Sequence, residues 1–397
     1  MNEWFIPEPE DFPSHRALLH LGLNKAVRYY RELIVPGIGG TIFVRQFSWA
    51  AAGIALAKEL KRKPAKIANG IEALACKLEW KNNKDEYNGR GKRAFNRDIN
   101  DVWSFKELSN EKHYVQVTYR MSTVRALAGL CLTTGTRFNT MELTKTGNTL
   151  AETLLNQSGV GKGSGTINNA LKKWINGKEI LHSGKIVQCL GKSGVTNEEK
   201  EIIRNRLMAD SIGELSNFQR RTYLIKAFGR NKINMPELDI IKKKLKKQKR
   251  QDYVKNIETA IAFDAMLECG RTIVYKCAEL IVSNVELFQN KDLCNELKKL
   301  RSKIKAFQNT KGKKHEDADA FVNLMQEKGD AKLLKNIAER DGSILTLSNG
   351  NIIKGPLFDR RKDIENDNEN PDKQDGSEES STERKIRQLF ALWGDCN

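Results

Sequence analysis

The chain has 397 residues, with 68 Lys and Arg against 50 Asp and Glu, a formal net charge of +18 and seven Cys. Its length exceeds that of a single small module, and its charge favours a polyanionic partner over an acidic small molecule, nucleic acid before an anionic membrane surface. No apolar run approaches the roughly 18 to 20 residues that span a bilayer, so no membrane partner is expected. The N-terminus, Met1 to Arg16, is acidic and broken by Pro7, Pro9 and Pro13, unlike a signal peptide, and the expected location is the cytoplasm.

The seven Cys (Cys76, Cys131, Cys189, Cys269, Cys277, Cys294 and Cys396) are widely spaced, which argues against both a zinc ribbon and a disulfide framework. Neither a metal nor a cofactor is expected.

Residues 17–35 read as a helix with one apolar face, stopped by Pro36-Gly37-Ile38-Gly39-Gly40. Ser48 is placed as the cap of an Ala-rich helix, Trp49 to Leu60, ending in Lys61-Arg62-Lys63-Pro64. A second helix follows through Ile67, Ile71, Leu74, Ala75 and Leu78. Residues 81–113 are polar, centred on Gly89-Arg90-Gly91-Lys92-Arg93, and are predicted to form an exposed insertion with a helix near Asp98 to Leu108. Thr118 to Leu130 reads as a helix, Gly135 as a turn, Phe138 to Leu143 as a short alternating strand, and Thr146 to Leu155 as helix again.

This order suits a winged helix, and Met141-Glu142-Leu143-Thr144-Lys145-Thr146-Gly147 resembles the end of the wing in winged helix-turn-helix domains, where a Leu-Thr pair followed by Gly opens the last helix. The resemblance covers some forty residues, or about a hundred if the two helices at 48–78 belong to the same domain. It implies DNA binding, one helix entering the major groove and a basic wing following the backbone. On that reading Arg120, Ser122, Thr123 and Arg125 face double-stranded DNA from the helix, with Arg137 and Lys145 on the wing. Use of the winged helix for protein contacts is the alternative.

Residues 159–194 begin Gly-rich and have mixed strand and turn character, and Asn197 to Phe228 is helical, opened by a Thr196/Glu199 capping-box pattern. Long helices are predicted from Met235 to Phe307, and a hairpin around Asn349-Gly350. Residues 359–383 are highly acidic, a composition that predicts disorder. Beyond them Ile386, Leu389, Phe390 and Trp393 form one apolar helical stripe, expected to dock on a protein partner, with docking on the chain's own body as the alternative.

The expected fold class is therefore mainly α (α+β). A winged-helix-containing N-terminal domain at 1–158 carries the insertion 81–113. A mixed middle region at 159–230, a helical domain at 231–358 with a small hairpin, an acidic linker at 359–382 and a docking helix at 383–397 follow.

Two further basic patches stand out. Lys242, Lys243, Lys244, Lys246, Lys247, Lys249 and Arg250 crowd nine positions, and Arg90, Lys92, Arg93 and Arg97 lie in the insertion. Both would gain from counterion release on a polyanion, although a solvated helix is an equal reading of the first. Phosphate loops fail on spacing: Gly191-Lys192-Ser193 has Ile186 where Gly is required, and Gly161-Lys162 has Asn156 there. Metal-dependent cleavage would need Glu79 and Lys81 or the cluster His315, Glu316, Asp317 and Asp319. The first lacks an Asp on a neighbouring strand, and the second reads better as an acid-rich helix start. Glu268 and Arg271 read as a structural pair.

The expected function is non-catalytic DNA binding within a multi-protein assembly. The general build is similar to accessory subunits encoded with bacterial defence or DNA-processing systems. A nuclease and a protein-only scaffold are the alternatives.

Overall fold

The computed structural model describes residues 21–98, 101–158, 165–178, 184–208, 215–229, 234–282, 287, 290–327, 329–360 and 380–397. It is mainly helical, with only four short strands among the described residues, and no helix there is long and apolar enough to cross a membrane. Two compact units emerge: one from Tyr29–Ile261 with Glu378–Asn397, the other from the described residues of Met1–Arg28 with Ala262–Ser377. This grouping differs from the sequence expectation, because the C-terminal helix belongs with the N-terminal half and the boundaries fall inside helices α1 (Asn24–Ile34) and α13 (Gln251–Val282).

In the larger unit, α2 (Arg45–Leu60) and α3 (Pro64–Asn82) form an antiparallel pair around the turn expected from Lys61-Arg62-Lys63-Pro64. Lys61 closes α2 in the left-handed region at φ 51°, and Pro64 opens α3 where its missing amide costs nothing. The helices approach closely at Gly53, where an added Cβ would lie 2.5 Å from that of Ala68. Around them Phe43, Trp49, Leu56, Ile67, Ile71, Leu74 and Trp80 make the core. Ser48 is not the cap: α2 begins three residues earlier, at Arg45, and Ser48 is buried inside its first turn.

Residues 81–113 are exposed in part, as at 81–86, but they also give side chains to the core. Tyr87, Phe95, Trp103, Phe105 and Leu108 are buried, and the polar spacing that suggested a loop hides a ladder of rings over α3. Trp80 lies 5.7 Å from Phe95, and Phe95 stacks 5.8 Å from Tyr114. Helix here is confined to α4 (Lys92–Arg97) and α5 (Phe105–Leu108), so the single helix expected at 98–108 is corrected. Lys77, buried in α3, ties the segment down through Asp98 at 2.6 Å and the carbonyl of Val102 at 2.5 Å.

Next, α6 (Tyr119–Gly129) is capped by Thr118, whose hydroxyl accepts from the Met121 amide. Two-residue strands β1 (Thr133–Thr134) and β2 (Glu142–Leu143) pair antiparallel, Thr133 opposite Leu143. The strand expected from Phe138 shrinks to β2, because Phe138–Thr140 is a 3-10 turn that buries the Phe138 ring. Thr144 then caps α7 (Lys145–Leu155) through the Gly147 amide. Gly147 has to be Gly there, since a Cβ would sit 2.0 Å from the Leu132 carbonyl oxygen.

The middle region is helical where described: α8 (Ile167–Ile175), α9 (Gly184–Leu190), α10 (Asn197–Met208) and α11 (Leu215–Phe228), with one isolated bridge between Ser158 and Thr166. Most of the Gly-rich start falls outside the described residues. The Thr196/Glu199 capping box is present, with the Thr196 amide 2.8 Å from the carboxylate and the Glu199 amide 3.2 Å from the hydroxyl. Helix α12 (Leu238–Lys247) follows, then the first part of α13. The last helix, α17 (Ser381–Asp395), packs on α10 and α11.

The smaller unit contains the rest of α13, α14 (Lys291–Gln308), α15 (Glu316–Met325), α16 (Asp330–Asp341) and the hairpin β3 (Leu345–Ser348) with β4 (Asn351–Lys354). Asn349 and Gly350 supply the two left-handed turn residues, φ 48° and 76°, that a two-residue hairpin loop requires. Of the acidic linker, residues 361–379 lie outside the described residues.

Candidate nucleic-acid interface

The geometry around α6 starts from a buried carboxylate. Glu72, on the inner face of α3, accepts the amides of Tyr119 at 2.6 Å and Arg120 at 2.7 Å and the Tyr114 hydroxyl at 2.8 Å. It thus satisfies the orphan donors at the start of α6, where a negative charge also suits the helix dipole. Burial pushes its pKa up, against those three hydrogen bonds.

Arg120 is fixed by its surroundings: Nε donates to Asn69 Oδ1 at 2.6 Å, and the guanidinium lies 5.0 Å over the Phe138 ring. Thr123 is fully buried and its hydroxyl donates to the Tyr119 carbonyl at 2.9 Å, so it cannot meet DNA as the sequence suggested. Ser122 is half-buried and accepts from Arg90 Nη2 at 3.2 Å. Arg90 itself stacks 4.3 Å over Tyr119 and donates to the Val117 carbonyl at 2.6 Å, a structural brace where the sequence suggested a polyanion contact. Among the four α6 side chains singled out, Arg125 alone is exposed, beside the 44% exposed Met121.

Arg137, in the turn between β1 and β2, and Lys145, the first residue of α7, are both exposed. Arg125, Arg137 and Lys145 have no carboxylate partner among the described residues. Lys92 is half-buried and Arg93 exposed at the start of α4.

On α12 the lysines divide. Lys242 pairs with Asp239 at 2.7 Å, and Lys244 donates to the Ala227 carbonyl at 2.9 Å, closing the end of α11. Lys243, Lys246 and Lys247 are exposed. Lys246, Lys249, Arg250, Gln251, Asp252 and Tyr253 line an open hollow of about 510 Å³, and Arg250 stacks 4.1 Å over Tyr223.

The stripe expected to meet a partner is used by the chain itself. Ile386, Leu389 and Phe390 are buried within the larger unit, Phe390 set edge-on 5.2 Å from Phe228, and Trp393 is half-buried. A short amphipathic helix lowers its free energy by covering whatever apolar surface is in reach, and α10 and α11 present it here.

The nuclease candidates do not assemble. Glu79 accepts the Lys192 amide, and burial raises its pKa; Lys81 instead binds Asp101 at 2.9 Å and lies 4.8 Å over Trp103. His315 caps α15 by accepting the Asp317 amide at 3.1 Å, and Glu268 meets Arg271 at 3.1 Å on an exposed surface. No group of three His, Cys, Asp or Glu is placed to hold a metal ion among the described residues. Lys192 covers the Phe43 ring at 4.8 Å, whereas Gly161-Lys162 lies outside the described residues.

Sequence reasoning missed Glu72 and Asn69, which set the start of α6. A carboxylate within the apolar spacing of Ile67, Ile71, Leu74 and Ala75 was the available signal for the first. Comparison with protein-family models, with curated proteins and with solved structures found no match for this chain.

Proposed function

We propose that this chain is a non-catalytic DNA-binding protein whose contact surface is a winged-helix-like assembly of α2, α3, α6, the β1–β2 turn and α7. The observation that carries this reading is the set of exposed, uncompensated cations on three successive elements: Arg125 on α6, Arg137 in the turn and Lys145 at the start of α7. A formal charge of +18 adds long-range attraction for a polyanion. The exposed lysines of α12 are a second patch of the same sign. Because α17 covers its own unit, the reading does not rest on a partner subunit.

The test is fluorescence anisotropy of a labelled duplex across a salt series. Wild type is expected to bind tightly at low salt and weaken steeply as salt rises. The triple change Arg125→Ala/Arg137→Ala/Lys145→Ala should lower the log–log slope by about 2 to 3, near 0.9 per lost phosphate contact. Absence of binding at low salt would overturn the reading.

A further inference from the structure

The first turn of α3 and the turn between β1 and β2 are locked together. The Ala65 amide donates to Asn139 Oδ1 at 3.0 Å, while Arg120 bridges Asn69 of α3 and the ring of Phe138. This lock sets the α2–α3 elbow, residues 61–66, beside the turn that carries Arg137. Arg62 is consumed there, donating to the Ile175 carbonyl and to Asn176 Oδ1, each at 3.1 Å. Lys61, Lys63 and Lys66 remain exposed and have no carboxylate partner among the described residues.

The chemistry of the two segments is one-sided. No Asp or Glu occurs from Lys61 to Ile71 or from Cys131 to Met141, and Thr134, Thr136, Asn139 and Thr140 add exposed polar groups to the turn. Three ammonium groups, a guanidinium and neighbouring hydroxyls suit phosphodiester oxygens, which accept from point charges without demanding base-edge geometry. Base reading, by contrast, has little to work with: Thr123 is buried, Ser122 is bonded to Arg90, and Arg120 is held by Asn69 and Phe138.

Resting on the DNA-binding reading above, we infer that Lys61, Lys63 and Lys66, together with Arg137, form a track for one phosphodiester backbone. Recognition of the duplex is then independent of its sequence. The elbow positions the strand, and the affinity comes from counterion release.

The experiment compares the full chain with Lys61→Gln/Lys63→Gln/Lys66→Gln and with a control of equal charge loss on α14, Lys298→Gln/Lys303→Gln/Lys305→Gln. Each binds two duplexes of equal length and unrelated sequence across a salt series, with thermal melting to confirm that every variant is folded. The elbow variant should lose about 2 to 3 in log–log salt slope and the control far less, and both duplexes should bind wild type within about twofold. If the elbow variant loses no more than the control while Arg125→Ala/Arg137→Ala/Lys145→Ala loses binding, the track is wrong and the broader reading stands. A preference above about tenfold for one duplex would overturn sequence independence, and no binding by wild type would overturn both.

Discussion

Lys385 is 5% exposed and reaches from α17 to donate to the carbonyl of Gly39. Burial lowers its pKa from 10.5 to about 8; Glu32 opposes that shift, while Arg31 and Arg125 add to it. Between pH 8 and 10.5 the unfolded chain holds a proton on this amine that the folded chain has released, so raising the pH through that window favours the folded state. The cost of burying the ammonium is therefore greatest below pH 8 and relieved above it. Lys385→Met should remove this dependence. The stability of wild type relative to the variant is expected to rise by about 2 to 3 kcal/mol between pH 7 and pH 10, read from urea unfolding at several pH values. A difference that stays flat across that range would show that the amine does not titrate as its burial requires. A second buried cation behaves differently: Arg45 is fully buried against Glu199 at 2.7 Å, so its desolvation is opposed by a direct partner.

Helix α2 has no side-chain cap from its own neighbourhood; the amide of Val44 instead donates to Asp395 Oδ2, at 2.7 Å, from the far end of α17. That carboxylate takes up an amide at the start of α2 from a sequence separation of 351, whereas Thr144 caps α7 from the adjoining position. Asp395→Ala is expected to cost about 1 kcal/mol, in the range of local caps, and to accelerate amide exchange in the first turn of α2. Unchanged exchange there would show that α2 is held at that end by packing alone. The contrast explains what was legible in the sequence. The Thr196/Glu199 box, the Asn349-Gly350 turn and the helices flanking β1 and β2 are local chemistry, written within a few residues. The cap on α2 depends on a partner far along the chain, and the polar composition of residues 81–113 concealed the rings by which that segment joins the core over α3. Thr123 misled for a related reason: its place on α6 matches the buried Tyr119, Ala126 and Leu127, but a hydroxyl at that position reads as surface until the Tyr119 carbonyl is seen to accept from it.

At the largest scale, the last helix completes the larger unit. Its last helix covers α10 and α11 of the unit that begins at Tyr29, and four of its apolar side chains, Ile386, Leu389, Phe390 and Leu392, are buried there. Full burial of such a side chain is worth about 1.5 to 3 kcal/mol before the entropy of ordering the helix is set against it. A helix reserved for a separate partner would be dispensable to the fold, whereas one that completes a core would not. Ending the chain after residue 379 separates these cases. The truncated protein should melt on the order of 10 °C lower than the full chain, the shift expected for a net loss of a few kcal/mol in a unit of this size. It should also expose Phe228, which an apolar dye would report at temperatures where wild type is still folded. A melting temperature equal to that of wild type would mean that the stripe contributes nothing to its own unit, and the search for a protein partner of Ile386, Leu389, Phe390 and Trp393 would reopen. The expected loss instead makes α17 and the start of α2 interdependent: the helix that sets Lys385 against Gly39 also caps α2, and α2 packs against α3 and α6, which carry the proposed DNA contacts. Truncation is then expected to weaken duplex binding through the fold, although it removes no residue assigned to the interface.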